Sequence, residues 1–444
     1  MNKQFLKFIR DEIPEFLKLV TANLFRNKLI KNKEFLRYFD LLEKRENLSS
    51  EKIREYQFSQ LKNILIYSFQ NVPYYHNLFN QVSFDPYKFS DFEQIKTIPF
   101  LTREIVNDNF NELKSTKKVK NGYYIGYTGG STGFPLKFLL DYDSIYKENA
   151  FIYYFRKKMG YKNEDKLVTF RDVRLYDKLF KYNPMYEELI SSPVKLSKIT
   201  IREYANRINQ FQPQYLNGYL STIWYFAKLL AEYEINLSIK LKGIFLTSEN
   251  VNENQRKYIE QFFKVKSSTF YGHSERCIIA EEMVKNRYKF DPFYGYNEQI
   301  HIENNKYSIV GTGFLNQIMP FIRYKTDDFC YMDNQYYSIE GKRSSTIGLI
   351  GINNEFLSAT AFDLTNPIFK NIVRYQLIQK EKGKADLMII VGKNFQISEM
   401  DLVKNEINMQ TKGIVDFNIK IVDHLILTQS GKYQMYISSV GETL

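Results

Sequence analysis

Tyr127-Thr128-Gly129-Gly130-Ser131-Thr132-Gly133-Phe134-Pro135 is the stretch on which the reading of this chain turns. Three glycines let the backbone take positive φ and bring its N–H groups close to an anion. The hydroxyls of Thr128, Ser131 and Thr132 add donors, so such a loop can wrap a polyphosphate. No Gly-Lys-Ser/Thr follows, which excludes a Walker loop, and the glycine spacing is not that of a dinucleotide fingerprint. Taken alone, a Gly/Ser/Thr run is more often an ordinary turn, so its surroundings must decide.

Downstream, short apolar runs alternate with helical patterns. Leu167–Phe170, Tyr215–Gly218, Gly243–Leu246 and Ser267–Phe270 read as buried strands, and 144–158, 221–235 and 252–263 as helices between them. This alternation predicts an α/β architecture with parallel sheets. Residues 298–340 change to short strands and polar turns. The last hundred residues predict strands at 387–391, 416–422 and 433–438 with a helix near 398–410, enough for a small α+β domain. The expected division is a large domain over 1–340 and a small one over 341–444.

Upstream, Phe5, Phe8, Ile9, Phe16, Leu17 and Leu19 recur at helical spacing. Ser49-Ser50 before Glu51 reads as a helix start, and Leu61, Ile64, Leu65 and Phe69 continue a helical face. Such a stripe is expected to be core, although it leaves open peripheral contact with a membrane surface.

The composition of the 444 residues, 44% hydrophobic and 25% charged, is that of a globular chain. Two cysteines, Cys277 and Cys330, cannot build a disulfide framework or a four-thiolate zinc site, so a reducing, cytoplasmic compartment is expected. No apolar run approaches a membrane span, and charge interrupts the N-terminus too early for a secretion signal. The formal net charge of +12 is spread along the chain without zinc-finger, basic-zipper or RNA-binding signatures. A solvated basic surface is therefore expected, with no nucleic-acid partner. Oligomeric state is not legible.

Three further segments give the glycine-rich loop its context: Tyr271-Gly272-His273-Ser274-Glu275, Met319-Pro320-Phe321-Ile322-Arg323-Tyr324-Lys325-Thr326-Asp327-Asp328 and Ser430-Gly431-Lys432. In that order the four resemble the phosphate-binding, Y-G-x-S/T-E, M-P-x-I-R-Y-x-T-G-D and terminal S-G-K motifs of adenylate-forming enzymes. Leu61–Tyr75, Ile98–Arg103, Leu216–Tyr219, Thr247–Glu249 and Tyr375–Gln379 resemble the phenylacetate–CoA ligase branch, and within it the capsular-polysaccharide (CapK-like) proteins. The resemblance covers roughly residues 55–444.

The resemblance implies a large α/β domain with parallel sheets and a small mobile α+β domain, with the active site between them. It implies ATP and Mg²⁺, and a carboxylic acid activated as acyl-AMP with release of pyrophosphate. By motif, Thr128, Gly129, Gly130, Ser131, Thr132 and Gly133 hold phosphates, and Ser248, Glu249, Tyr271 and Gly272 shape the adenine pocket. Asp328 binds the ribose, Glu275 holds Mg²⁺, and Lys432 is the catalytic lysine. Gly218, Tyr219 and His273 are expected at the acid. Lys342 and Arg343 stand where a hinge Gly-Arg is usual and are expected among the nucleotide-binding residues. A fixed ammonium at the α-phosphate lowers the barrier electrostatically, without a protein nucleophile.

Several residues depart from the pattern. Asp327 replaces the glycine before the ribose acid, so either carboxylate could serve, with Asp328 first by register. Gly129 replaces a serine, and the hinge acid is missing from Gly341-Lys342-Arg343-Ser344-Ser345. Arg323 reads equally as a carboxylate partner and as a nucleotide contact. His273 and Cys277, four apart, could share a helical face, but two ligands do not make a zinc site. Three functions follow as expectations: a ligase passing its acyl group to a sugar, amine or thiol acceptor in surface-polysaccharide assembly, an aryl- or acyl-CoA ligase using coenzyme A, and a nucleotide-binding scaffold that has lost catalysis.

Overall fold

The computed structural model describes residues 29–127, 136–171, 175, 178–193, 195–196, 199–248, 251, 253–340, 348–358, 367–369, 371–391, 395–422, 426, 436–438 and 440. Asn32 opens helix α1 (Lys33–Lys44) by accepting from the N–H groups of Glu34 and Phe35, and Ser49 opens α2 (Ser50–Asn71) by accepting from Lys52 N–H. The helix start expected at Ser49-Ser50 is therefore present. Leu61, Ile64 and Leu65 of α2 are buried with Tyr75 and Phe79 of α3 (Pro73–Gln81), so this stripe is core. The apolar positions from Phe5 to Leu19 lie outside the described residues. Thr102 caps α4 (Arg103–Asp108).

Strands β1 (Tyr123–Tyr127) and β2 (Lys137–Asp141) pair antiparallel, with Tyr127 opposite Lys137. They flank the glycine-rich loop, whose residues 128–135 lie outside the described residues. Asp141 then caps α5 (Tyr142–Lys158), accepting from Ser144 N–H at 2.7 Å.

The main sheet follows. Its first half comprises β3 (Leu167–Phe170), β4 (Phe180–Asn183), β5 (Glu188–Ser191), β6 (Tyr215–Gly218), β7 (Gly243–Leu246) and β8 (Ser267–Gly272). Helices α6 (Ile201–Phe211), α7 (Leu220–Glu232) and α8 (Glu253–Phe263) intervene. Its second half is β9 (Ile279–Val284), β10 (Arg287–Phe290), β11 (Gly295–Glu303), β12 (Lys306–Gly313), β13 (Tyr324–Asp333) and β14 (Tyr336–Glu340). The strand order is β11-β12-β13-β14-β10-β9-β8-β7-β6-β3-β5-β4. Strands β5, β3, β6, β7 and β8 run parallel, and from the β8–β9 pair onward the pairing is antiparallel.

Strands β3, β6 and β7 read as largely apolar runs because both faces are covered. Val168, Phe170, Leu216 and Ile244 pack against Ile208, Phe226 and Ile259 of the α6–α8 layer. Leu167, Tyr215 and Phe245 pack against Phe35, Tyr38 and Phe151 of α1 and α5.

After two short paired strands, β15 (Gly348–Ile350) and β16 (Phe356–Ser358), a second sheet is built from β17 (Ile372–Glu381), β18 (Lys384–Val391), β19 (Asp416–Ile421) and β20 (Tyr436–Ser438), in the order β19-β18-β17-β20. Helix α9 (Glu399–Thr411) lays Val403 and Ile407 on Leu377, Leu387 and Ile389, giving this α+β unit a core of its own. Residues 341–347 at the expected boundary lie outside the described residues.

Candidate functional site

Open α/β sheets bind ligands where the parallel strands end, and of the sequence-predicted residues Gly218, Tyr219, Ser248, Tyr271 and Gly272 fall there. Gly218 ends β6 at φ +148, and a Cβ at that position would lie 2.4 Å from the Phe170 carbonyl oxygen of β3, so only glycine lets the two strands approach so closely. Tyr219 follows as the N-cap of α7. Ser248 lies just past β7 at φ 62. Tyr271 and Gly272 end β8, and the chain then turns through His273–Ile278 into the antiparallel β9.

That turn gathers the polar groups. Tyr271 Oη donates to Asp328 Oδ2 of β13 at 2.9 Å and is in hydrogen-bond contact with His273 Nε2. The imidazole lies between two carboxylates, with Nε2 3.5 Å from Asp328 Oδ2 and Nδ1 3.9 Å from Glu275 Oε2. Burial, reinforced by Asp328, pushes the Tyr271 phenol well above its ordinary value, so it stays a neutral donor. Burial, with Glu275 beside it, also raises the Cys277 thiol, which makes it a packing group and no nucleophile. His273 and Cys277 share no helical face, because residues 273–278 form a turn.

The turn is anchored by a residue that motif reading did not single out. Arg276, buried at φ 58, donates to Glu148 Oε2 at 2.8 Å and Ser144 Oγ at 2.6 Å on α5, and to Tyr124 Oη at 3.2 Å on β1. It thus ties the end of β8 to the strand that leads into the glycine-rich loop. An arginine beside a motif glutamate carries no signal in one sequence, since its partners lie more than 120 residues away.

The two adjacent acids separate. Asp328 faces Tyr271 and His273, whereas Asp327 has an oxygen 3.7 Å from Arg103 Nη2. Arg323 takes the structural alternative. Its Nε and Nη2 engage Glu298 of β11 at 2.9 and 2.7 Å, and Nη1 donates to the Lys96 and Ile98 carbonyls. Leu101 N–H donates to Arg323 O at 3.0 Å, so the Ile98–Arg103 segment is stitched to the start of β13 and Arg103 is delivered to Asp327.

Thr128, Gly129, Gly130, Ser131, Thr132, Gly133, Glu249, Lys342, Arg343 and Lys432 lie outside the described residues. Tyr271, His273, Glu275 and Asp328 are brought together, and Gly218, Tyr219 and Ser248 lie along the same edge of the sheet. Among the described residues no group of three His, Cys, Asp or Glu could hold a metal by itself. Glu275 alone suits Mg²⁺, which commonly takes one or two carboxylates and fills its remaining positions with phosphate oxygens and water.

No family model matches the chain. It is 23% identical over 366 residues to Protein CapK of Staphylococcus aureus, covering 78% of this chain and 80% of that one. Among solved structures, 2-hydroxyisobutyryl-CoA ligase in complex with 2-HIB-AMP and CoA in the thioesterification state superposes with a TM-score of 0.59 at 14% identity, covering 89% of this chain and 91% of that one. The same ligase in the postadenylation state with R3-HIB-AMP gives a TM-score of 0.55 at 13% identity, over 90% and 92% of the two chains. The chain shares the α/β fold of that ligase. Among the described residues no helix is long and apolar enough to cross a membrane.

Proposed function

We propose that this chain is an ATP-dependent ligase that condenses a carboxylic acid with ATP, giving acyl-AMP and pyrophosphate. The convergence of Tyr271, His273, Glu275 and Asp328 where β8 meets β9 carries the reading. In it, Asp328 accepts from the ribose hydroxyls while the Tyr271 phenol holds its second oxygen. Glu275 takes the Mg²⁺ that neutralises the phosphates, and the loop Thr128–Gly133 grips those phosphates. Lys432 steadies the charge that gathers as carboxylate attacks the α-phosphate. Gly218, Tyr219 and His273 line the acid, and Lys342 and Arg343 serve the hinge between residues 1–340 and 341–444.

Similarity to Protein CapK supports a role in capsular or surface polysaccharide assembly, with the acyl group passed to a sugar or amine acceptor in the cytoplasm. The second reading, transfer to the thiol of coenzyme A, is supported by the ligase whose fold this chain shares.

The test is carboxylate-dependent exchange of labelled pyrophosphate into ATP over a panel of hydroxy, aryl and short aliphatic acids. Glu275→Gln and Lys432→Ala should each lower exchange by about 10²–10³. Absence of exchange with every acid, from folded protein that binds ATP, would refute the ligase reading and leave a nucleotide-binding scaffold.

A further inference from the structure

Arg276 closes the turn that presents Glu275. Its N–H donates to His273 O at 3.1 Å, with Ser274 and Glu275 between the two residues. Arg276 itself stands at φ 58, a conformation that a residue other than glycine keeps where its surroundings hold it. Beneath it, backbone meets backbone. Gly295 of β11 and Gly313 of β12 are paired, and a Cβ on Gly313 would lie 2.7 Å from Arg276 O, one on Gly295 2.6 Å from Cys277 O. The turn is thereby seated on the main sheet.

The side chain reaches the other way, to the hairpin β1–β2. Nη2 donates to Tyr124 Oη on β1, Nη1 to Ser144 Oγ and Nε to Glu148 Oε2 on α5. Ser144 Oγ passes the connection on by donating to Asp141 O at 2.6 Å, at the end of β2. Tyr294 Oη also donates to Glu148, at 3.1 Å, so the carboxylate that neutralises Arg276 is itself held. Tyr124 pairs with Leu140 and Asp141 with Tyr123, so both strands are tied at the root of the hairpin, about 10 Å along β1 from the end that leads into the glycine-rich loop. With each of its nitrogens engaged and only 7% of its surface exposed, Arg276 is placed to hold other groups and not to touch a ligand. A lysine could meet Glu148, but a single ammonium lacks the planar fork that spans two elements at once.

We infer that Arg276 is a positioning residue for the triphosphate: by joining the turn of Glu275 to the root of β1–β2, it sets the spacing between the metal-holding carboxylate and the phosphate-gripping loop. The inference rests on the proposed reading, from which the roles of Glu275 and the loop come. It divides the nucleotide in two. Asp328, which faces the ribose in that reading, is held by Tyr271 without help from Arg276, so AMP should be indifferent to the arginine. The outer phosphates and Mg²⁺ should not be, because they need both parts in place together.

The experiment is calorimetric titration of the full chain with Mg²⁺-ATP and with AMP, on wild type, Arg276→Lys and Tyr124→Phe, with the unfolding temperature of each. Arg276→Lys should weaken Mg²⁺-ATP about tenfold and leave AMP within about twofold. Tyr124→Phe keeps the Arg276–Glu148 pair and removes only the hydroxyl on β1; it should weaken Mg²⁺-ATP about threefold at an unchanged unfolding temperature. Should Arg276→Lys fail to fold, Tyr124→Phe decides. Equal losses of ATP and AMP affinity, a lowered unfolding temperature with both affinities intact, or a wild type that binds neither nucleotide would overturn the inference. Pyrophosphate exchange measured alongside separates the two claims. Wild type that binds Mg²⁺-ATP but exchanges with no acid removes the ligase reading, and the ATP–AMP difference then still decides the role of Arg276. Exchange in wild type with no such difference in the variants removes the positioning role alone.

Discussion

Replacing Arg323 by methionine separates architecture from nucleotide contact. In the native protein Arg323 is 5% exposed and Glu298 7%. Two charge-assisted bonds at 2.9 and 2.7 Å join them, and the guanidinium also closes the Lys96 and Ile98 carbonyls and lies 4.4 Å from the centre of the Phe100 ring. Methionine keeps most of the volume and the same backbone, so the φ of 50 at this position is common to both proteins. What is lost is the counter-charge to a buried carboxylate, a loss that costs about 3–5 kcal/mol. For a unit of this size that lowers the thermal midpoint by about 5–8 °C. Glu298→Met in the Arg323→Met background should restore most of it, because an apolar pair of similar volume replaces buried charges at little net cost. A double-mutant cycle by urea and thermal unfolding, with ATP affinity measured on each folded variant, reads both quantities. If Arg323→Met unfolds at the wild-type temperature yet loses ATP affinity, the arginine serves the nucleotide and the reasoning fails.

Tyr271→Phe removes the donor to Asp328 but keeps the ring; ATP affinity should fall about tenfold by titration with little change in unfolding temperature. Gly218→Ala forces a methyl group 2.4 Å from the Phe170 carbonyl at positive φ, and should destabilise the protein by about 2–3 kcal/mol in urea unfolding. Burial raises the phenols of Tyr38, Tyr75, Tyr204, Tyr271, Tyr294 and Tyr324 above the ordinary value of 10.0. Because each pKa is higher folded than unfolded, their stabilisation is whole below pH 10 and drains away as pH rises toward the folded values, by about 1.4 kcal/mol per tyrosine per pH unit. Phenolate absorbance should therefore appear together with loss of helical circular dichroism, and phenolate formation in still-folded protein would contradict the burial.

Much of the fold was legible because its signals are local. Leu167–Phe170, Tyr215–Gly218 and Gly243–Leu246 are strands at the bounds their largely apolar runs suggest, since two-sided burial admits only Thr169 and Asn217 as polar residues and those two bond to each other. β4 and β5 were missed: Lys181, Asn183 and Glu188 break the apolar run, and the Glu188 carboxylate is buried only because Arg171 and Asn183 bind it across the sheet. His273 and Cys277 suggested a helix because spacing of four is common to helices and to turns, and only the β8–β9 pairing decides between them. The motifs placed Glu275 and Asp328, but the Tyr271–Asp328 bond, the Arg276 anchor and the separation of Asp327 toward Arg103 join parts of the chain too distant for any local pattern to reveal.

The junction between β8 and β9 is held by three opposed pairs, Phe270 with Glu281, Tyr271 with Ala280 and Gly272 with Ile279. Here a sheet made by crossover helices is welded to one made by hairpins, and the phenol of Tyr271 is part of the weld. Sliding one half by a single residue would swing Tyr271 to the opposite face and carry its hydroxyl away from Asp328. Alignment of Tyr271 with Asp328 is thus set by strand registration, so on the proposed reading a variant with this seam loosened should lose ATP binding before either half melts.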